Sequence, residues 1–247
     1  MRLLGTGHSE LLPELSMKLK KYCYPFLICM IALAAWSCNK NGDDKPVVLP
    51  TAHLNVINAV TDIRAIDVYL NGTRQNNNSA IYLFNASGYL TVTKGEQQYQ
   101  FKSDTDRTVL ADIKLNTAAK DSSTVVMAGQ QSKNTLTAIF LNDNFIADPI
   151  LKNAKVRFVQ ASPGTAAYDV AVGDTLSFTN QVFKGTTDFK SVGAGKKVVK
   201  VKLAGTATEV FNGTLILNTG SYYTMYLSGE PAGKNKSALN VSVNLSR

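Results

Sequence analysis

The sequence predicts an all-β protein that folds as two tandem antiparallel β-sandwich domains. Three observations predict this fold class. Short runs of alternating apolar and polar residues recur about every ten residues, and turns rich in Gly, Asn, Asp and Thr separate them. The second half of the chain repeats the first at a nearly constant offset. Nowhere does a long window combine helical periodicity with capping residues.

Segment 17–37 has the layout of a secretory signal. Three lysines open it, and an apolar run of 11 residues extends from Phe26 to Trp36. A helix of that length spans about 16 Å, too short for the ~30 Å hydrocarbon core of a bilayer. The sequence Ala-Trp-Ser-Cys that ends at Cys38 resembles the lipobox of bacterial lipoproteins, which implies that Cys38 is lipidated and becomes the first mature residue. Cleavage near Ser37, giving a soluble secreted protein, is the alternative.

The residues on either side of this signal complete the N-terminal region. Residues 1–16 carry two glutamates and a proline that a secretory signal does not need, so we expect a mis-assigned start, with translation beginning at Met17. An extension with its own function is the alternative. Residues 38–50 are polar and end at a proline, as tethers do. Asp43 and Asp44 resemble the acidic export signal of surface lipoproteins in Bacteroidota, and a plain solvated tether is the alternative. We therefore expect a lipid-anchored, surface-exposed protein of the bacterial outer membrane, or else a secreted or periplasmic one.

The internal repeat sets the domain boundaries. Segment 52–73 aligns without a gap on segment 154–175, with 6 of 22 residues identical. The similarity returns at an offset of 100 in Gly95 and Gly195, and at 102 in the Leu-Asn-Thr sequences that begin at Leu115 and Leu217. We predict domains at 51–148 and 152–247, joined at Asp148-Pro149.

The strand pattern within each unit predicts the architecture. The first unit contains LNVINAV, AIDVYLNG, YLTVTKG and QYQFKS, and the second contains VRFVQAS, YDVAVGD, FKSVGAG, KVVKVKL, TLILNTG, YYTMYLSG and LNVSVNL. Half-buried strands alternate in this way, and about 100 residues per unit fit an immunoglobulin-like or transthyretin-like sandwich. Each unit is long enough to bury its own core.

Several of these segments resemble a known family. VRFVQASP at 156–163, YDVAVGD at 168–174, GAGKKVVKV and YYTMYLSG are similar to the repeat called domain of unknown function 4397, which occurs in tandem in secreted and surface proteins of bacteria. Gln160 stands where that family usually has His, and the first copy lacks the Ser-Pro after Ala59. The resemblance implies a β-sandwich and brings no established activity.

The cysteine and histidine content excludes several chemistries. All three cysteines lie in the signal or at its end, and His53 is the only histidine after it. Thiol catalysis, Cys-ligated zinc and a His cluster are therefore excluded from the mature chain. The chain also lacks GxSxG, Walker, GxGxxG and HExxH motifs. We expect no catalytic residue, no metal site and no cofactor.

Four aspartates are candidates for ligand or metal binding. Asp67 and Asp169 recur at the same place in both repeats, within apolar strands. Each could bind a metal or a sugar hydroxyl, or could simply accept hydrogen bonds from loop N–H groups. Asp104 and Asp106 alternate in a polar loop, as oxygen donors in Ca²⁺ loops do, but a solvated turn explains them equally.

The charge distribution is uneven. Residues 51–150 hold 8 Lys and Arg against 9 Asp and Glu, whereas residues 151–247 hold 12 against 5. Lys196, Lys200 and Lys202 share one face of a predicted strand and form a candidate anion-binding site. Such a strand could attract anionic glycans or lipid phosphates. The alternative is that these charges protect a sheet edge against pairing. We expect no nucleic-acid partner for an exported protein.

Taken together, these features favour a non-enzymatic, lipid-anchored envelope protein that binds a glycan or an envelope protein at the cell surface, as an adhesin does. Two other functions stay open. The chain could be a structural spacer or accessory subunit of an outer-membrane complex. More remotely, it could be a hydrolase that uses a pair among the four aspartates, which would need two carboxylates about 5 to 10 Å apart in one cleft.

Overall fold

The computed structural model describes residues 49–76, 79–118, 121–146, 152–164 and 166–247. In these residues there are seventeen strands and one short 3₁₀ helix, Asn235–Ser237. The strands are β1 (Thr51–Asn58), β2 (Ala65–Leu70), β3 (Thr73–Arg74), β4 (Ile81–Tyr82), β5 (Ala86–Thr93), β6 (Gly95–Ser103), β7 (Val109–Thr117), β8 (Ser122–Ala128), β9 (Thr137–Asn142), β10 (Asn153–Gln160), β11 (Tyr168–Val172), β12 (Leu176–Gln181), β13 (Lys190–Gly193), β14 (Gly195–Leu203), β15 (Glu209–Leu217), β16 (Tyr222–Ser228) and β17 (Asn240–Leu245).

Each repeat consists of two sheets packed face to face, so the predicted all-β fold of two tandem domains is confirmed. In the first repeat the strand orders are β5-β1-β8-β9 and β3-β2-β6-β7, with β4 also paired to β2. In the second they are β13-β10-β16-β17 and β12-β11-β14-β15. The sheets differ from the expectation in one respect, because β1 and β8 run parallel, as do β10 and β16. The chain crosses from one sheet to the other before β8 and β16, and this crossover makes the parallel pairing sterically accessible.

The two repeats share one hydrogen-bond register. The β6–β7 hairpin pairs Gly95 with Thr117, the β14–β15 hairpin pairs Gly195 with Leu217, and both carry a β-bulge between the last two pairs. Residues of these hairpins are therefore equivalent at an offset of 100. The Leu-Asn-Thr match at an offset of 102 is wrong by two residues, because Thr117 is equivalent to Leu217.

Each repeat has an apolar core between its two sheets. In the first, Tyr99 and Phe101 of β6 are fully buried against the inner residues of β1 and β8. In the second, Phe158 stacks on Phe178 with ring centroids 5.7 Å apart. Burial of each such side chain contributes roughly 1.5–3 kcal/mol relative to leaving it in water.

A third apolar core joins the repeats. Ile57 and Val126 of the first repeat do not belong to its own core but pack with Val159 and Tyr226 of the second repeat. As a result β16 is buried on both faces, and so is nearly all of β8. The expectation that such strands expose one face is wrong here, because the residues on that face are covered by the other repeat. Residues 49–247 thus form one compact unit, in which the two tandem domains share this third core.

Several sequence predictions fall outside the described residues. These are segment 1–16, the signal 17–37 with Cys38, residues 38–48 of the tether, and the joint at Asp148-Pro149. Within the part of the chain that the structure describes, no helix is both long and apolar enough to cross a bilayer.

Candidate functional site

The three candidate lysines lie on the open side of a sheet of the second repeat. They belong to β14, where Val199 and Val201 point into the core and are fully buried. Side chains alternate along a strand, so Lys196, Lys200 and Lys202 point away from that core. We call this set the basic face. Lys196 and Lys200 are exposed, and Lys202 is half-buried.

Most of the basic face lies on an inner part of the sheet. β14 pairs with β15 from Gly195 to Lys202 and with β11 from Val199 to Leu203. Protection of an edge against strand pairing therefore does not explain Lys200 and Lys202, whereas Lys196 lies before the pairing with β11 begins. An inner strand with several cations on its open side also concentrates like charge.

The neighbouring strands compensate only one of the three lysines. Lys202 lies in register between Asp169 of β11 and Glu209 of β15. Lys200 instead has Ala171 and Asn212 beside it, and the β15 neighbour of Lys196 is Ile216. Among the described residues, no carboxylate forms an ion pair with any of the three.

The equivalent surface of the first repeat is neutral and internally bonded. Glu96, Gln98 and Gln100 of β6 occupy the positions of Lys196, Val198 and Lys200. Both glutamines donate to the carboxylate of Asp112 on β7, and Glu96 pairs with Lys114 at 3.5 Å. The positive charge is thus a property of one repeat and not of the fold.

Asp67 holds a buried cluster together. Its side chain is 2% exposed, and its oxygens accept hydrogen bonds from Arg74 at 2.6 Å, from Asn76 at 3.0 Å and from Arg107. The Asn76 oxygen in turn accepts the Val68 N–H at 2.8 Å. Every donor comes from the protein itself, which makes this carboxylate a structural anchor for the β3 and β6–β7 loops. The two arginines were not found from the sequence because Arg74 belongs to the short strand β3 and Arg107 to the loop after β6, 40 residues from Asp67 along the chain.

Asp169 has a different set of donors. Its two oxygens accept the backbone N–H groups of Asn180 at 2.8 Å and Gly205 at 3.0 Å. These hydrogen bonds lower the pKa of the Asp169 carboxyl, since they favour its charged form. The carboxylate thus ties the end of β12 and the β14–β15 loop to β11. This geometry fits the second interpretation given from the sequence, in which Asp169 accepts hydrogen bonds from loop N–H groups.

This geometry predicts a pH dependence. The pKa of Asp169 is lower in the folded chain than in the unfolded chain, so its stabilising contribution is complete above the unfolded value of about 3.9 and is lost as the pH falls through the folded value. As the pH falls from about 6 to about 3, we expect the free energy of unfolding to decrease less in Asp169→Asn than in the wild type. Urea unfolding at the two pH values measures this. Equal losses in both proteins would contradict it.

The other two aspartates are also engaged. Asp104 is paired with Arg64, and Asp106 accepts the Thr108 N–H at 3.1 Å, a bond that lowers the pKa of its carboxyl. The loop is therefore held as a turn by its own side chains, as the solvated-turn interpretation expects. His53 lies in β1, between β5 and β8.

A cleft of about 680 Å³ lies between the repeats. Tyr222 is central to it, with the rings of Phe145 and Phe189 each 5.1 Å away in edge-on contact. The Arg157 guanidinium lies 4.6 Å from the centroid of the Phe189 ring. Each of these rings is thus in contact with another aromatic ring, and the Phe189 ring also with a cation. Sequence reasoning missed this cluster because its members come from separate loops and strands of both repeats.

Comparison with known proteins gives a family match and weak structural similarities. The family model described as Domain of unknown function (DUF4397) matches residues 52–163 and again residues 154–245. No curated protein matches this chain. One similar solved structure is the family 26 carbohydrate-binding module of Amy13K from Eubacterium rectale in complex with maltoheptaose, at 10% identity and a TM-score of 0.26, covering 78% of this chain and 96% of that one.

A second solved structure is the Bacillus anthracis TIE protein, at 12% identity and a TM-score of 0.22, covering 72% of this chain and 33% of that one. These scores are too low to support an argument about function. The two matches to one family model are of a different kind, since they span the strands of both repeats. The chain therefore belongs to the family described as Domain of unknown function (DUF4397), of which it carries two copies.

Proposed function

We propose that this chain is a non-catalytic binding protein of the bacterial outer membrane, anchored through a lipid on Cys38, whose second repeat binds a polyanionic glycan on the basic face. The observation that carries the proposal is the pair of uncompensated lysines, Lys196 and Lys200, on the open face of β14. These charges give the open face a positive potential that no carboxylate of the neighbouring strands balances. An anionic partner supplies the missing counter-charge.

The spacing of the lysines suits a polymer with repeated anionic groups. At about 3.3 Å per residue, Lys196 and Lys200 lie roughly 13 Å apart along β14, and Lys202 follows roughly 7 Å further on. Sulfate, carboxylate or phosphate groups along an extended chain can contact all three ammonium groups. Attraction of this kind depends on the electrostatic field of the surface, so it falls as salt screens the charges.

The arrangement of the carboxylates supports a non-catalytic role. Asp67 is bonded to two arginines and Asp169 to two backbone N–H groups. A glycosidase of the usual type needs one carboxylic acid and one carboxylate free to act on the same bond. Both of these aspartates are committed to holding loops, and they lie in different repeats.

Titration of the protein with a sulfated polysaccharide such as heparin tests the proposal. We expect the double variant Lys196→Gln, Lys200→Gln to bind roughly tenfold more weakly, because each exposed charge contact contributes up to about 1 kcal/mol. Isothermal titration calorimetry at low ionic strength measures the affinity. Lys102→Gln in the first repeat is the matched control, since Lys102 lies over the Tyr69 ring, and we expect it to bind like the wild type.

Two results would reject the proposed function. Equal affinity of the double variant and the wild type would place the contact elsewhere, and binding of neutral dextran as strong as that of heparin would exclude a polyanion site. Loss of binding in Lys102→Gln would show that net charge alone, rather than the basic face, carries the attraction.

A further inference from the structure

The last strand of the basic sheet has an open edge. β15 is nine residues long, Glu209–Leu217, and its only strand partner among the described residues is β14. An edge strand presents a row of N–H and C=O groups that another chain can pair with. Proteins usually obstruct such edges with charged residues, proline or a short strand. From Val210 to Leu217, β15 has no charge and no proline.

The first repeat shows what an obstructed edge looks like in this fold. The equivalent strand β7 carries Asp112 and Lys114 near its middle, and Lys114 pairs with Glu96. The register makes these positions equivalent to Asn212 and Thr214 of β15. The charges that guard the first edge are therefore replaced by neutral residues in the second.

β15 also exposes an apolar side chain at a position where β7 has a polar one. Ile216 is 71% exposed, and Val198, diagonal to it on β14, is 46% exposed. The residue of β7 equivalent to Ile216 is Asn116. Two exposed apolar side chains beside an unpaired edge favour a protein contact at this place.

We propose that β15 pairs with β15 of a second copy of this chain, antiparallel and about a two-fold axis through Gly213. In this register Phe211 lies opposite Leu215 of the second copy, and Asn212 lies opposite Thr214. The first pair joins two half-buried apolar side chains that pack on the core side of the sheet, and the polar pair can form a hydrogen bond. At the axis Gly213 meets itself, and the Phe211 ring lies beside it on the core side of the sheet.

The strand is complementary to itself, which identifies a second copy as the partner. Glu209 is the only charged residue of β15, and the antiparallel pairing places the two copies of it at opposite ends of the paired strands, beyond the β-bulge. A two-fold axis makes the same favourable pairs twice. The result is one continuous eight-stranded sheet, with both basic faces on the same side and the two β14 strands about 14 Å apart. The pairing does not rest on the proposed glycan binding, since it involves the edge and not the lysines.

Sedimentation equilibrium of the full chain in density-matched detergent tests the pairing. We expect a monomer–dimer equilibrium with half-dissociation in the micromolar to high-micromolar range. The variant Asn212→Asp, Thr214→Lys, Ile216→Asn gives β15 the edge residues of β7, and we expect it to weaken dimerisation at least about tenfold. The control Lys114→Thr alters β7 and is expected to leave the dimer unchanged. Circular dichroism verifies that each variant is folded.

Hydrogen exchange locates the contact. Backbone amides of β15 should become protected as the protein concentration rises, while those of β7 should not change. A wild-type chain that stays monomeric at about 0.5 mM would overturn the proposal. So would a dimer that survives in the triple variant, or concentration-dependent protection that falls on β7 instead.

Discussion

Replacement of Asp143 by alanine is expected to lower the free energy of unfolding by about 3–5 kcal/mol, one of the two largest effects that the structure predicts. Its carboxylate is fully buried and pairs with Arg157 of the second repeat at 2.5 Å. Tyr89 and Thr124 donate to its other oxygen at 2.5 and 2.8 Å. Loss of the carboxylate leaves a buried guanidinium without its counter-charge.

The arginine is bonded as fully as the aspartate. Arg157 Nε donates to the Thr224 hydroxyl at 2.9 Å, and one Nη donates to the Asn142 carbonyl at 3.2 Å. Burial lowers the pKa of Arg157, and the nearby Asp143 opposes this change. The ion pair thus joins a residue of the first repeat to a residue of the second. Its loss should therefore weaken the packing between the repeats as well as lower the stability of each.

A double-mutant cycle with urea unfolding measures the pair. Asp143→Asn keeps the size and one acceptor oxygen, so its cost reports mainly the missing charge. Arg157→Met leaves the carboxylate buried instead, and we expect a loss of similar size. The double variant should lose clearly less than the sum of the two, because no unpaired charge remains. Strict additivity would show that the two groups do not interact.

Gly229→Ala is expected to destabilise the protein by about 3 kcal/mol or more, the second large effect. Gly229 has φ +77°, a conformation that costs an alanine about 1–2 kcal/mol. A Cβ atom there would also lie 2.7 Å from the Ala238 carbonyl carbon and 2.8 Å from the Ser237 oxygen. Both contacts are with backbone, which cannot rotate away.

The repeat provides controls for this prediction. Gly129 is the equivalent residue, and its Cβ would lie 2.7 Å from the Thr135 carbonyl carbon, so Gly129→Ala should cost as much. Gly95 has a similar φ of +91°, but no described heavy atom lies within 4 Å of its Cβ position. Gly95→Ala should therefore cost only the conformational part. Thermal unfolding of the three variants tests this order, and equal losses in all three would contradict it.

The sequence indicates the fold class well, because alternation and the repeat are local features. It does not reveal β3, β4, β7, β8, β9 or β12. For β8 the reason is that burial on both faces removes the alternation. β7 could have been found from its equivalence to β15, but the two-residue error in the Leu-Asn-Thr match hid it.

The candidate sites were harder to predict from the sequence because their partners are distant along the chain. Alternation alone places Lys196 and Lys200 on one face, but only the sheet order shows that β14 is an inner strand. The Asp143–Arg157 pair depends on how the repeats pack. One signal was present, since Arg157 interrupts an apolar run in β10, and a cation in a buried strand needs a partner.

The central claim is that the basic face of the second repeat, and not the fold shared by both repeats, binds a polyanion. Replacement of the basic face by the equivalent residues of the first repeat tests this claim most directly. The variant Lys196→Glu, Val198→Gln, Lys200→Gln gives the second repeat the residues of the first, and its heparin affinity is to be measured from low to high salt. The account predicts wild-type binding that weakens steeply with salt, and little binding by the variant at any salt concentration. If the triple variant binds heparin as tightly as the wild type does, with the same dependence on salt, the claim is contradicted.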